Sequence, residues 1–110
     1  MLIYRGDKME SKGMKYEFSA KPRLYSSSDM SGWTFVFLPK EMAMEIRENF
    51  KWLEEGWGRM KTTTKIGKSE WKTSIWFDTK NETYIMPLKA EIRRKENIGY
   101  DKDVKVIVWI

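Results

Sequence analysis

Apolar and polar residues alternate along much of this chain, and where alternation gives way to a spacing of three or four, helices are predicted. Tyr16, Phe18 and Ala20 alternate with Lys15, Glu17 and Ser19, the period of a half-buried strand. Pro22 marks a bend or an edge position, and Leu24 and Tyr25 continue the strand beyond it. The run SSSDMSG at 26–32 has loop composition, and WTFVFL at 33–38 reads as a strand covered on both faces. Pro39 stops that strand and suits a first helical turn. Met42, Ile46, Phe50 and Leu53 then recur at four, four and three, one helical stripe that Gly56 and Gly58 end.

Two alternating runs follow. Met60, Thr62, Thr64 and Ile66 share one face, opposite Arg59, Lys61, Thr63 and Lys65. After Gly67 and Lys68, Trp71, Thr73, Ile75 and Phe77 alternate with Lys72, Ser74 and Trp76. The pair predicts a twisted hairpin with one basic face. Residues 83–86 form a short strand stopped by Pro87, and 88–95 a short helix with Leu88 and Ile92 inward. Residues 97–102 turn the chain, and Val104, Val106, Val108 and Ile110 close it as a strand with Ile107 and Trp109 on the other face.

The same grammar occurs twice: strand, Pro, short helix, turn, strand. FVFLPKEMAMEIRENF leads into RMKTTTKI, and YIMPLKAEIRRKENI into VKVIVWI. The prolines stand 48 residues apart and the Ile-Arg pairs, Ile46-Arg47 and Ile92-Arg93, 46 apart. Two such units suit a closed, pseudo-symmetric barrel in which each half covers the other; chance recurrence of strand-stopping prolines is the plainer explanation. Residues 14–110 are expected to form a single barrel-like domain, preceded by a flexible N-terminal extension over 1–13.

Composition narrows the chemistry. The chain has no cysteine and no histidine, which removes thiolate sites, the usual general base and the commonest transition-metal ligand. No loop of alternating acidic ligands points to a hard cation, so no cofactor or metal is expected. No signal-peptide pattern or membrane-length apolar run is present, and a cytoplasmic location is expected. The net charge of +5 is uneven: residues 26–55 carry three bases and six acids, whereas 56–75 carry five bases and one acid.

The motifs FSAKPRLY, GWTFVFLPKE, IGKSEWKTSIWF, and YIMPLKAEIRRKENI leading into DKDVKVIVWI lie between Tyr16 and Ile110. On these motifs the chain resembles the domain-of-unknown-function 1905 family. The most specific pieces of the resemblance are Trp71, Thr73 and Ser74, and Pro87, Leu88, Lys89, Ile92 and Arg93. It implies an α+β, mainly β fold of the double-split type: a six-to-seven-stranded pseudo-symmetric barrel with two short helices capping it. Its second half is similar to the swapped-hairpin domains of DNA-binding regulators. The family's usual Gly-Asp before the last strand is Lys102-Asp103 here.

Three classes of function follow. A small anionic ligand or a protein partner is the leading expectation, with Trp71, Thr73, Ser74 and Arg93 as the ligand-binding set; Trp71 and Thr73 as core and Arg93 as a structural staple is the bland counterpart. Met42, Met44 and Trp52 on the first helix are the candidate protein interface. Nucleic-acid binding is the alternative, carried by Arg59, Lys61, Lys65, Lys68 and Lys72 on the hairpin and Lys89, Arg93 and Arg94 on the second helix, with Trp57 or Trp76 stacking on bases. Its counterpart is an ordinary solvated strand face. The first helix region, 40–55, carries three bases and five acids, and the second, 89–96, four and two. Such unlike halves do not suit a symmetric reader of palindromes, and a monomer is expected. An enzyme is not expected: Ser74 has only Lys72 as a nearby base, a Ser–Lys pair at most.

Overall fold

A computed structural model describes residues 9–10, 12–24 and 33–110. Its elements are β1 (Met9–Glu10), β2 (Gly13–Ala20), β3 (Arg23–Leu24), β4 (Thr34–Phe37), α1 (Lys40–Phe50), β5 (Arg59–Ile66), β6 (Ser69–Asp78), β7 (Thr83–Pro87), α2 (Ala90–Lys95) and β8 (Val104–Trp109). The sheet runs β1-β2-β8-β5-β6-β7-β4-β3, antiparallel throughout. Seven strands, β2 to β8, curl into a half-barrel, and β1 adds a short edge to β2. β2 and β3, far apart in that order, are separated along the chain only by Lys21 and the buried Pro22. Of the predicted 1–13 extension, Met9 and Glu10 pair with Met14 and Gly13; residues 1–8 and 11 lie outside the described residues.

The predicted strand faces carry the core. Tyr16, Phe18, Met60, Ile66, Ile75, Tyr84, Met86, Val106 and Val108 fill the concave side, and Met42, Ala43 and Ile46 of α1 pack down on them. Thr62 and Thr64 are buried in the same layer, where their hydroxyls meet at 3.1 Å and Thr64 reaches Met86 Sδ at 3.5 Å. Buried hydroxyls persist because each has a partner.

The first helix departs from the sequence reading at its end. The α-helix stops at Phe50, whose φ of −130° breaks the spiral, and Lys51–Leu53 form a 3-10 turn. Asn49 Nδ2 donates to the Glu45 carbonyl and Trp52 Nε1 to the Asn49 carbonyl, so the last turn has side-chain partners in place of further helix. Leu53 therefore leaves the inward stripe and is exposed. Of the candidate interface residues, Met42 belongs to the core, while Met44 and Trp52 are 69% and 77% exposed. In the second unit the helix begins only at Ala90; Leu88 is buried ahead of it. The turn before β8 takes its left-handed residue at Asn97 (φ 53°), not at Lys102.

Candidate functional site

The chain between α1 and β5 is tethered at Glu54. Tyr84, buried in β7, donates its hydroxyl to Glu54 Oε2 at 2.5 Å, and Arg47 Nε lies 3.6 Å from the same oxygen. The Arg47 guanidinium sits 3.7 Å from the centre of the Phe77 ring, which meets Tyr84 edge-on at 5.2 Å. Burial, then the hydrogen bond and charge of Glu54, push the Tyr84 phenol far above its ordinary value, and Arg47 opposes them. Beyond the tether the Glu55 amide donates to the Arg59 carbonyl at 2.6 Å, closing a tight excursion over Gly56–Gly58.

At the tip of that excursion Trp57 is 95% exposed and holds φ 70°, a region an L-residue occupies at a cost of roughly 1 kcal/mol. Gly58 follows at φ 68°, and a Cβ there would stand 3.1 Å from Phe77 Cβ. Trp57, Arg59, Trp76, Phe77, Asp78 and Ile85 line a cleft of about 620 Å³ between this tip and the convex face of β6 and β7. Strand register explains the lining, since Trp76 is directly opposite Arg59 on one side and Ile85 on the other. Phe35 meets Trp76 edge-on at 6.1 Å, and Trp33 stacks on Phe35 at 6.1 Å, so an aromatic layer backs the cleft.

A second groove of about 580 Å³ lies one step along the same convex face, lined among others by Lys12, Lys61, Thr63, Lys72, Ser74 and Trp109. Lys61 is opposite Ser74, and Thr63 is flanked by Lys72 and Trp109. Lys12 Nζ is 2.7 Å from Glu70 and 4.5 Å from the centre of the Trp109 ring. Glu55 faces both Arg59 (3.4 Å) and Lys61 (3.7 Å). Lys72 has no carboxylate within ion-pair distance among the described residues.

The four residues of the predicted ligand set are not brought together. Trp71 and Thr73 belong to the inward face of β6 and Ser74 to the convex face, as alternation along a strand requires. Arg93 lies on α2, its Nε donating to the Leu88 carbonyl at 3.3 Å, in a separate cleft with Trp33, Pro87 and Lys89. Trp71 Nε1 is buried and has no hydrogen-bond partner among the described residues. Ser74 does share its face with Lys72. Of the basic set, Arg59, Lys61, Lys65 and Lys72 share the convex face of the hairpin. Lys68 sits in its turn, where its amide approaches Glu96; Lys89, just before α2, and Arg94, on it, are exposed. Among the described residues no cluster of three or more acidic side chains could hold a metal, and no helix is long and apolar enough to cross a membrane. Lys12 and Trp109 were not among the predicted site residues, because only the pairing of β2 with β8 brings them together.

A family model described as "Domain of unknown function (DUF1905)" matches residues 18–108, and the chain belongs to that family. No curated protein matches the chain.

Proposed function

We propose that this is a non-catalytic binding domain whose cleft between the Gly56–Gly58 tip and the convex face of β6 and β7 takes a planar aromatic group. One observation carries the reading: Trp57 is almost wholly exposed, yet it is held in a left-handed conformation between two glycines at the mouth of a cleft walled by Trp76. Nothing in the core gains from that placement. Strained backbone and an exposed indole are sustained by the Tyr84–Glu54–Arg47 tether below, the arrangement expected of a side chain kept ready for a ligand. Arg59 and Asp78 at the rim supply polar groups that would orient it.

We read the half-barrel further as two halves about a pseudo-twofold axis, which makes the domain a monomer with one binding side. Exchanged hydrogen bonds support this: Leu38 N–H to the Tyr84 carbonyl, and Leu88 N–H to the Thr34 carbonyl. A second exchange ties each post-helix loop to the other half, through Tyr84 and Glu54, and through Thr34 and Tyr100 at 2.6 Å. The offset these bonds imply is 50 residues, the separation of Leu38 and Leu88 and of Thr34 and Tyr84. Leu38 then corresponds to Leu88 and Met42 to Ile92, and the two prolines do not correspond. The tip with Trp57 belongs to the first half, so binding is one-sided.

The test is a thermal-shift panel of planar aromatic compounds against aliphatic compounds of matched charge. Planar members raise the melting temperature of the native chain. Trp57→Ala abolishes that rise while leaving the unliganded stability within about 0.5 kcal/mol, as for a surface side chain. Equal shifts from aliphatic and planar members, or an undiminished rise in the variant, overturn the reading.

A further inference from the structure

We infer that the convex face of the β5–β6 hairpin takes a nucleotide unit, its base in the Trp57–Trp76 cleft and its phosphate on Lys61 and Lys72. The inference rests on the planar-group reading above and adds the ligand's class. Successive residues on one face of a strand stand about 6.8 Å apart. The rows across this hairpin are Arg59 and Trp76, then Lys61 and Ser74, then Thr63 and Lys72. An aromatic wall is thus followed, one row on, by a cation beside a hydroxyl, and by the same pair reversed in the next row. A base and its phosphate are joined through a sugar, a spacer that spans such a step.

The charges fit an anion beside the stacking surface. Among the described residues Lys72 has no carboxylate within ion-pair distance, and Ser74 and Thr63 offer hydroxyl donors to phosphate oxygens. The carboxylates facing these rows are Glu55, shared between Arg59 and Lys61; Glu70, held by Lys12; and Asp78, which accepts from the Lys80 amide at 3.1 Å and from Asn81 at 2.6 Å. Among the described residues only Glu55 competes directly for a cation of the site. The same chemistry is offered by a free mononucleotide and by a single strand, where bases stack on aromatic side chains and lysines track the backbone.

Four probes separate the possibilities by titration calorimetry at about 50 and about 200 mM salt: adenosine, adenosine monophosphate, inorganic phosphate and a single-stranded hexanucleotide. Adenosine monophosphate is expected to bind about tenfold more tightly than adenosine. The double variant Lys61→Gln/Lys72→Gln removes that preference, Lys61→Arg/Lys72→Arg keeps it, and Glu55→Gln enlarges it. A hexanucleotide that binds more tightly than the mononucleotide, with a salt slope reduced by about 1.4 in the glutamine variant, identifies a strand; equal affinity identifies the free nucleotide. Adenosine that binds as well as its monophosphate, or a preference untouched by the glutamine variant, overturns the inference and leaves the planar-group reading standing. Failure of both adenosine and its monophosphate to bind overturns this inference, while the panel above judges the planar cleft separately.

Discussion

Replacing Tyr84 by Phe removes one oxygen and almost no volume, so its effect isolates the tether beneath the Trp57 tip. Tyr84 is fully buried, and Glu54, which accepts its hydroxyl at 2.5 Å, has a side chain only 9% exposed. A hydrogen bond to a charged partner contributes about 1.5–3 kcal/mol. In the variant Glu54 keeps Arg47 at 3.6 Å, a partly exposed partner that does not replace the lost donor. The expected loss is about 2 kcal/mol, or a melting temperature lower by roughly 8 °C for a domain of this size. Urea unfolding followed by circular dichroism checks it: the midpoint falls while the slope stays the same. Combined with Glu54→Gln in a double-mutant cycle, the two changes should couple by at least about 1 kcal/mol. A variant within about 0.5 kcal/mol of the native chain, or a strictly additive cycle, refutes the tether.

Alkaline pH gives a second check on the buried phenols. Tyr16 is raised by burial and then by the hydrogen bond and charge of Glu45, and Tyr84 by burial and Glu54. Their folded values lie above the ordinary 10, so the stability they confer is complete below pH 10. Above it the unfolded chain ionises first, and stability falls by up to about 1.4 kcal/mol per pH unit for each tyrosine. Urea midpoints between about pH 8 and pH 11 should show this fall, and Tyr84→Phe should make it shallower. Gly58→Ala meets both a left-handed φ and the Phe77 Cβ at 3.1 Å, and is expected to destabilise by about 1–3 kcal/mol; chemical denaturation of the variant measures it.

Alternation served the strands well because a pleated backbone leaves no choice of face. Met60, Thr62, Thr64 and Ile66 are all buried as their period requires, and the basic residues between them share the convex face. Helix length was less legible. Leu53 keeps the right spacing for the stripe, but local hydrogen bonds from Asn49 and Trp52 end the helix a turn early. Reading Pro87 as the stop before the second helix placed that helix two residues early, since Pro87 pairs with Phe35 as part of β7 and α2 begins at Ala90. The candidate site was visible only in pieces. Gly56-Trp57-Gly58 reads as a helix stop, and nothing local says that its indole faces solvent beside Trp76. The groove holding Lys12 and Trp109 depends on β2 and β5 both pairing with β8, contacts set by the whole sheet.

The proposed binding mode places a planar group beside Trp57 and Trp76. The chain's six tryptophans give six indole N–H signals, so each wall of the cleft can be watched in one nitrogen–proton correlation spectrum. On titration with a planar aromatic ligand drawn from the thermal-shift panel, the Trp57 and Trp76 signals are expected to move together while that of Trp71, on the inward face of β6, stays in place. Signals of Trp57 and Trp76 that remain fixed at saturation, or that move less than that of Trp71, contradict it.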